Sequence, residues 1–151
     1  MAIEQDTFSD PFGGVLCMKL TGKKYVGFAE FYLEGSFIGS QVMPENPWQI
    51  LQLLVDYSKV DPIYSFLTAK EMVVQLSRRY GVQTDGQNLI RTIWRLRGLL
   101  RESVPAGKLV SHGLVESAKE FSNRLIQHLP QWGYRLTLPS SNITTAIQDV
   151  A

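Results

Sequence analysis

Between Asp85 and Arg101 the chain reads Asp-Gly-Gln-Asn-Leu-Ile-Arg-Thr-Ile-Trp-Arg-Leu-Arg-Gly-Leu-Leu-Arg, a run that fits a helix with two unlike faces. Leu89, Ile93, Leu96 and Leu100 recur at the spacing of a helix seated on a core. At about 100° per residue, Gln87, Asn88, Arg91 and Arg95 point away from that stripe. Arg, Asn and Gln carry donor and acceptor pairs that match the major-groove edges of guanine and adenine. The helix is therefore a candidate reader of DNA, although an arginine-bearing face is more often a solvated surface alone.

Charge is unevenly spread. From Arg78 to Arg135 there are ten Lys and Arg against four acids, a balance of +6, whereas residues 1–77 hold five Lys and nine acids, a balance of −4. With Asp149 in the tail adding −1, the net charge of +1 thus conceals a basic half beside an acidic half, which suits a phosphate-facing surface with a separate face turned elsewhere.

With 151 residues, 44% of them hydrophobic, the chain is long enough to bury one core without covalent staples. Cys17 is the single cysteine, which excludes an intrachain disulfide and makes a reducing, cytoplasmic location the expectation. It sits in an apolar run and reads as a small buried hydrophobe. No basic-then-apolar leader opens the sequence, and no run of eighteen apolar residues suggests a membrane span.

Val15 to Leu20, Tyr25 to Leu33 and Phe37 to Val42 are rich in β-branched and aromatic residues and are separated by Gly-containing turns, predicting an antiparallel sheet over 15–43. Asn46 followed by Pro47 predicts the cap and first position of a helix that buries Trp48, Leu51, Leu54 and Val55. A break follows at Lys59-Val60-Asp61-Pro62. Thr68 and Glu71 form a capping-box pattern for a second helix over about 69–80, and Asp85 or Gly86 opens the third. Two helices before an exposed basic third describe a helix-turn-helix unit, with a plain three-helix domain as the alternative. Residues 125–138 then read as two short strands around Pro130-Gln131-Trp132-Gly133.

In that order the chain resembles the OmpR/PhoB-type winged-helix DNA-binding domain, the effector half of many bacterial response regulators. Ile93-Trp94-Arg95-Leu96-Arg97 with Leu100 is similar to that family's recognition-helix pattern, Gly133-Tyr134-Arg135-Leu136 to its wing-closing segment, and Thr68-Ala69-Lys70-Glu71 to its second-helix start. The likeness covers roughly residues 25–138. It implies an α+β fold: a winged helix-turn-helix with an N-terminal antiparallel sheet, three core helices over 47–101, an inserted helix within 102–124 and a β-hairpin wing over 125–138. A flexible N-terminus, 1–14, and a tail, 139–151, complete the expected layout, leaving no stretch for a receiver domain ahead of the sheet.

The chain also departs from the family. Met43-Pro44-Glu45-Asn46-Pro47 stands where the family has Leu-Thr-Pro and a Glu, Arg91 and Thr92 stand where it favours Val and His, and Pro130 stands at the wing tip. The insertion carries Leu114, Ala118, Phe121 and Leu125 at helical spacing, predicting a helix from near Ser111 or Gly113. It either stops before a first wing strand or runs through Leu129 to Pro130. Its apolar face either thickens the core or meets a protein partner.

What the resemblance implies is transcriptional regulation through sequence-specific binding of double-stranded DNA, without catalysis. Arg91 and Arg95 would face base edges, with Gln87 and Asn88 near adenine or phosphate and Thr92 beside them. Arg97 and Arg101, nearer the packed side, would grip phosphates. Gln131 and Arg135 would act from the wing, and Trp94 either flanks the groove or fills core, core being the better fit for a Trp beside Ile90. Proteins of this type bind as homodimers or in tandem. No metal, cofactor or catalytic residue is expected: His112 and His128 lack ligands at metal spacing, and no glycine-rich phosphate loop occurs. The rival is a winged-helix adaptor that contacts protein through the acidic sheet or the insertion. The tail forms either a docking helix or nothing ordered.

Overall fold

Leu16, Met18 and Leu20 alternate with Cys17, Lys19 and Thr21, and the first set is buried while the second stays partly exposed. That period of two makes β1, Leu16–Lys23, one strand of a sheet with a single covered face. β2, Gly27–Leu33, and β3, Ser36–Met43, continue it antiparallel, with Met18 opposite Phe31 and Phe28 opposite Val42. The computed structural model describes residues 10–60 and 65–148. Over these the chain is α+β, with a mixed four-stranded sheet, a two-stranded hairpin and five α-helices.

The sheet is not purely antiparallel, because the tail joins it. β6, Ile143–Gln148, lies parallel to β1 in the order β3-β2-β1-β6, where a docking helix or an unordered segment was expected. Asn142 anchors it by donating to the carbonyls of Gly14 and Leu16 at 3.2 and 3.0 Å. Residues 149–151 of the expected tail lie outside the described residues, as do residues 1–9 of the expected flexible N-terminus. Residues 10–14 form an ordered turn: the Asp10 carboxylate accepts from the Phe12 and Gly14 amides, and Phe12 is fully buried, edge-on to Phe121.

α1, Glu45–Ser58, is capped by Pro44 rather than Asn46, and Pro47 occupies its first turn, where a missing N–H breaks no helical bond. Every residue from Pro47 to Val55 is buried, the expected Trp48, Leu51, Leu54 and Val55 among them, so α1 is a central strut covered well beyond the face those four make. Its polar residues reach the β1–β2 turn: Trp48 Nε1 donates to the Lys23 carbonyl at 2.7 Å and Gln52 Nε2 to that of Lys24 at 2.9 Å. Of the expected break, Asp61 and Pro62 lie outside the described residues.

α2, Ala69–Tyr80, begins with the expected capping box, Thr68 accepting from the Glu71 amide and Glu71 from that of Thr68. It ends at Gly81, whose φ of 67° is a left-handed value natural to glycine. The insertion folds as two short helices, α4, Ala106–Ser111, and α5, Ala118–Leu125, instead of one. Ser117 caps α5, and Leu109, Val115, Phe121 and Leu125 all enter the core. α5 stops at Leu125 because Thr137 takes its last carbonyls: the hydroxyl donates to Arg124 at 2.7 Å and the amide to Leu125 at 2.9 Å. The first hairpin strand is therefore kept, as β4, Ile126–Leu129, paired with β5, Gly133–Leu136.

Candidate nucleic-acid interface

Asp85 starts α3, Gly86–Ser103, by accepting from the Asn88 amide at 2.9 Å, an N-cap worth about 1 kcal/mol. Leu89, Ile93, Leu96 and Leu100 are at most 1% exposed and fix the rotation of the helix on the core. That rotation turns Gln87, Asn88, Arg91 and Arg95 to solvent. Neither Arg91 nor Arg95 has an ion pair or hydrogen bond; among the described residues the ion pairs found are Arg79–Asp56 and Arg124–Glu120.

Trp94 lies among them with 63% of its surface exposed, contrary to the expectation of a core position. Its angle could have been read from the sequence. Five residues beyond Leu89, at about 100° each, put it well away from the stripe, at the edge of the outward face on the Arg91 side. Thr92 is half-buried and spends its hydroxyl on the Asn88 carbonyl at 2.9 Å.

The other expected contacts divide. Gln131 is exposed at the hairpin turn. Arg101, half-buried, donates to the Arg97 carbonyl. Arg97 turns inward: it donates to the Ile126 carbonyl at 2.6 Å and lies over the Tyr134 ring at 5.9 Å. Its Nε is buried without a partner, and burial pulls its pKa below the usual guanidinium value. Arg135 is only 4% exposed, donating from Nε to Gln127 Oε1 at 2.7 Å and lying over Phe66. Arg97 thus ties α3 to the hairpin, and Arg135 ties the two hairpin strands together and packs on the α1–α2 connection.

The hairpin is embedded on one side. All four residues of β5 are buried, and Tyr134 exchanges two backbone hydrogen bonds, each 2.8 Å, with Leu67 in the segment between α1 and α2. Gly133 permits this approach: its φ is 104°, and a Cβ there would overlap the Leu67 carbonyl. His128 stacks on Tyr134 with centroids 4.2 Å apart, and desolvation first, then Arg97, lowers its pKa.

On the far side of the molecule, Cys17 is partly exposed on the outer sheet face and not the buried hydrophobe expected. That face also carries Phe28, Phe37 and Val42, 37%, 55% and 66% exposed. Among the described residues no helix is long and apolar enough to cross a membrane, and no three His, Cys, Asp or Glu gather as a metal site would require. No protein-family model, curated protein or solved structure matches this chain.

Proposed function

We propose that the chain binds double-stranded DNA sequence-specifically, with α3 in the major groove, and acts as a transcriptional regulator of winged-helix type. One observation carries this: two free guanidinium groups, Arg91 and Arg95, share with an exposed Trp94 the outward side of a helix whose opposite side is locked into the core. Solvated arginines are common, but an indole left in water on the same helix side lacks a stabilising role in the isolated fold. Arg91 and Arg95 suit guanine edges or phosphates, Gln87 and Asn88 suit adenine, and Trp94 offers apolar contact to thymine methyl groups. Thr92, Arg101 and Gln131 would border the contact, whereas Arg97 and Arg135 act on the fold.

The winged-helix reading is supported by the order α1, Leu67, α2, α3 and then, after the inserted α4 and α5, the hairpin, in which Leu67 adds a strand-like segment beside β5. Homodimeric or tandem binding would belong to the same reading. A second class, the protein-interaction adaptor, is favoured by the exposed Phe28, Phe37 and Val42 on the sheet.

Salt dependence separates the two. Anisotropy of a labelled random-sequence duplex should report binding that weakens by at least about tenfold between roughly 50 and 200 mM salt, the loss for two neutralised phosphates. Site selection on the same protein should then enrich a discrete sequence. Binding that is absent, or indifferent to salt, rejects the DNA reading and leaves the adaptor.

A further inference from the structure

Where the start of α1, the α2–α3 connection and the first half of α3 meet, a cavity of about 340 Å³ opens to solvent. Its lining is graded. Gln49, Leu76 and Leu89 are buried, whereas Asn46, Asn88 and Arg91 are exposed. Gln49 is 1% exposed, yet neither its carboxamide oxygen nor its nitrogen has a hydrogen-bond partner in the protein. Buried polar atoms are nearly always paired, so a buried amide with both ends unmatched beside a cavity needs an explanation. Gln52, one turn along the same helix, is also buried but bonded to two carbonyls, so a paired glutamine is within reach of this helix.

We propose that this cavity is a binding site for a small anionic metabolite bearing an amide or lactam edge. A carboxamide presents one donor and one acceptor side by side, and a lactam edge returns one acceptor and one donor. Arg91 is the one cationic side chain in the lining, and no carboxylate lines it, so the negative group of the ligand belongs at the open end. The volume lies at the small end of the range for ligand sites, appropriate to a single-ring compound. The proposal goes beyond DNA binding and does not depend on it, although Asn88 and Arg91 are common to both surfaces.

The test uses the whole chain without DNA and three probes: orotate, which has both lactam edge and carboxylate, uracil, which lacks the carboxylate, and benzoate, which lacks the lactam. Amide NMR spectra, including side-chain carboxamides, should show saturable orotate binding with a Kd of about 1 mM or tighter, the Gln49 carboxamide shifting with the cavity backbone. Uracil and benzoate should each bind at least about tenfold more weakly, the loss expected for one missing polar anchor. Gln49→Leu should erase the preference for orotate over benzoate, and Arg91→Gln, at an exposed position that leaves the core intact, the preference for orotate over uracil. Equal responses to all three probes, no response at about 10 mM, or Gln49→Leu binding orotate like the native chain would each overturn the proposal and leave the cavity as solvent space.

Discussion

Four arginines on α3 and the hairpin provide a controlled comparison, because replacing any of them with Gln removes the same single charge. Arg91 and Arg95 are exposed and unpartnered, so Arg91→Gln and Arg95→Gln should leave stability within about 0.5 kcal/mol of the native chain. Arg97→Gln forfeits a charge-assisted hydrogen bond to Ile126, and Arg135→Gln one to Gln127 together with packing over Phe66. Each should destabilise by about 1–3 kcal/mol, lowering Tm by roughly 3–10 °C for a chain of this size. DNA affinity should follow the reverse order. A guanidinium at a base edge contributes about 1–3 kcal/mol to discrimination, and one at a phosphate lowers the slope of log K against log salt by about 0.9 when removed. Thermal melts and anisotropy on a selected site, at a temperature where all four variants are folded, measure both quantities. If folded Arg135→Gln loses as much affinity as Arg95→Gln, binding responds to net charge alone and the assigned face is wrong.

Three further outcomes follow from the geometry. Gly133→Ala should break both Leu67–Tyr134 bonds and strain a positive φ, costing about 2–4 kcal/mol in urea unfolding, with the largest amide shifts at Leu67 and Tyr134. Thr68→Ala should remove the α2 capping box for about 0.5–2 kcal/mol, recoverable in large part by Thr68→Ser. Burial, reinforced by Asp56 and partly opposed by Arg79, pushes Tyr80 up to about 12 from 10.0. The unfolded chain therefore loses that proton first, so its stabilisation is complete below pH 10.0 and declines as pH rises toward about 12; phenolate absorbance of the native chain against Tyr80→Phe checks the midpoint.

Local chemistry made part of this structure legible. The α2 capping box and the α3 stripe are set by residues within a turn or two of one another, and both appear where their spacing puts them. Features decided by distant partners were hidden. Ile143–Gln148 becomes a strand because β1, more than a hundred residues earlier, offers it an open edge. α1 carries Gln49 and Gln52 within its apolar run, which suggests a wet side, yet the surrounding sheet and helices bury every residue from Pro47 to Val55. In the candidate interface, the helical angle of Trp94 was available in the sequence and its size argued the other way. Arg135 could not be recognised as internal, since its burial depends on Phe66 and Gln127 meeting it from different segments.

The placement of α3 bears on how its outward side chains could work. The helix is held by the Asp85 cap, by the four-residue apolar stripe, and through Arg97 by the hairpin that Leu67 in turn clamps. Its backbone therefore has little freedom left to lose on binding, and the ordering cost falls on the side chains of Gln87, Asn88, Arg91, Trp94 and Arg95. Most of that cost belongs to the two arginines, whose long stems are rotamer-rich, while the two torsions of Trp94 make it the cheap member of the set. A ligand in the adjoining cavity that engaged Arg91 would remove one of those arginines from the outward face. With both proposals correct, orotate at saturation should weaken duplex binding by no more than Arg91→Gln does, and should leave the Arg91→Gln variant's own affinity unchanged. A larger effect, or one that persists in that variant, would mean that the two sites communicate through the fold and not through the shared side chain.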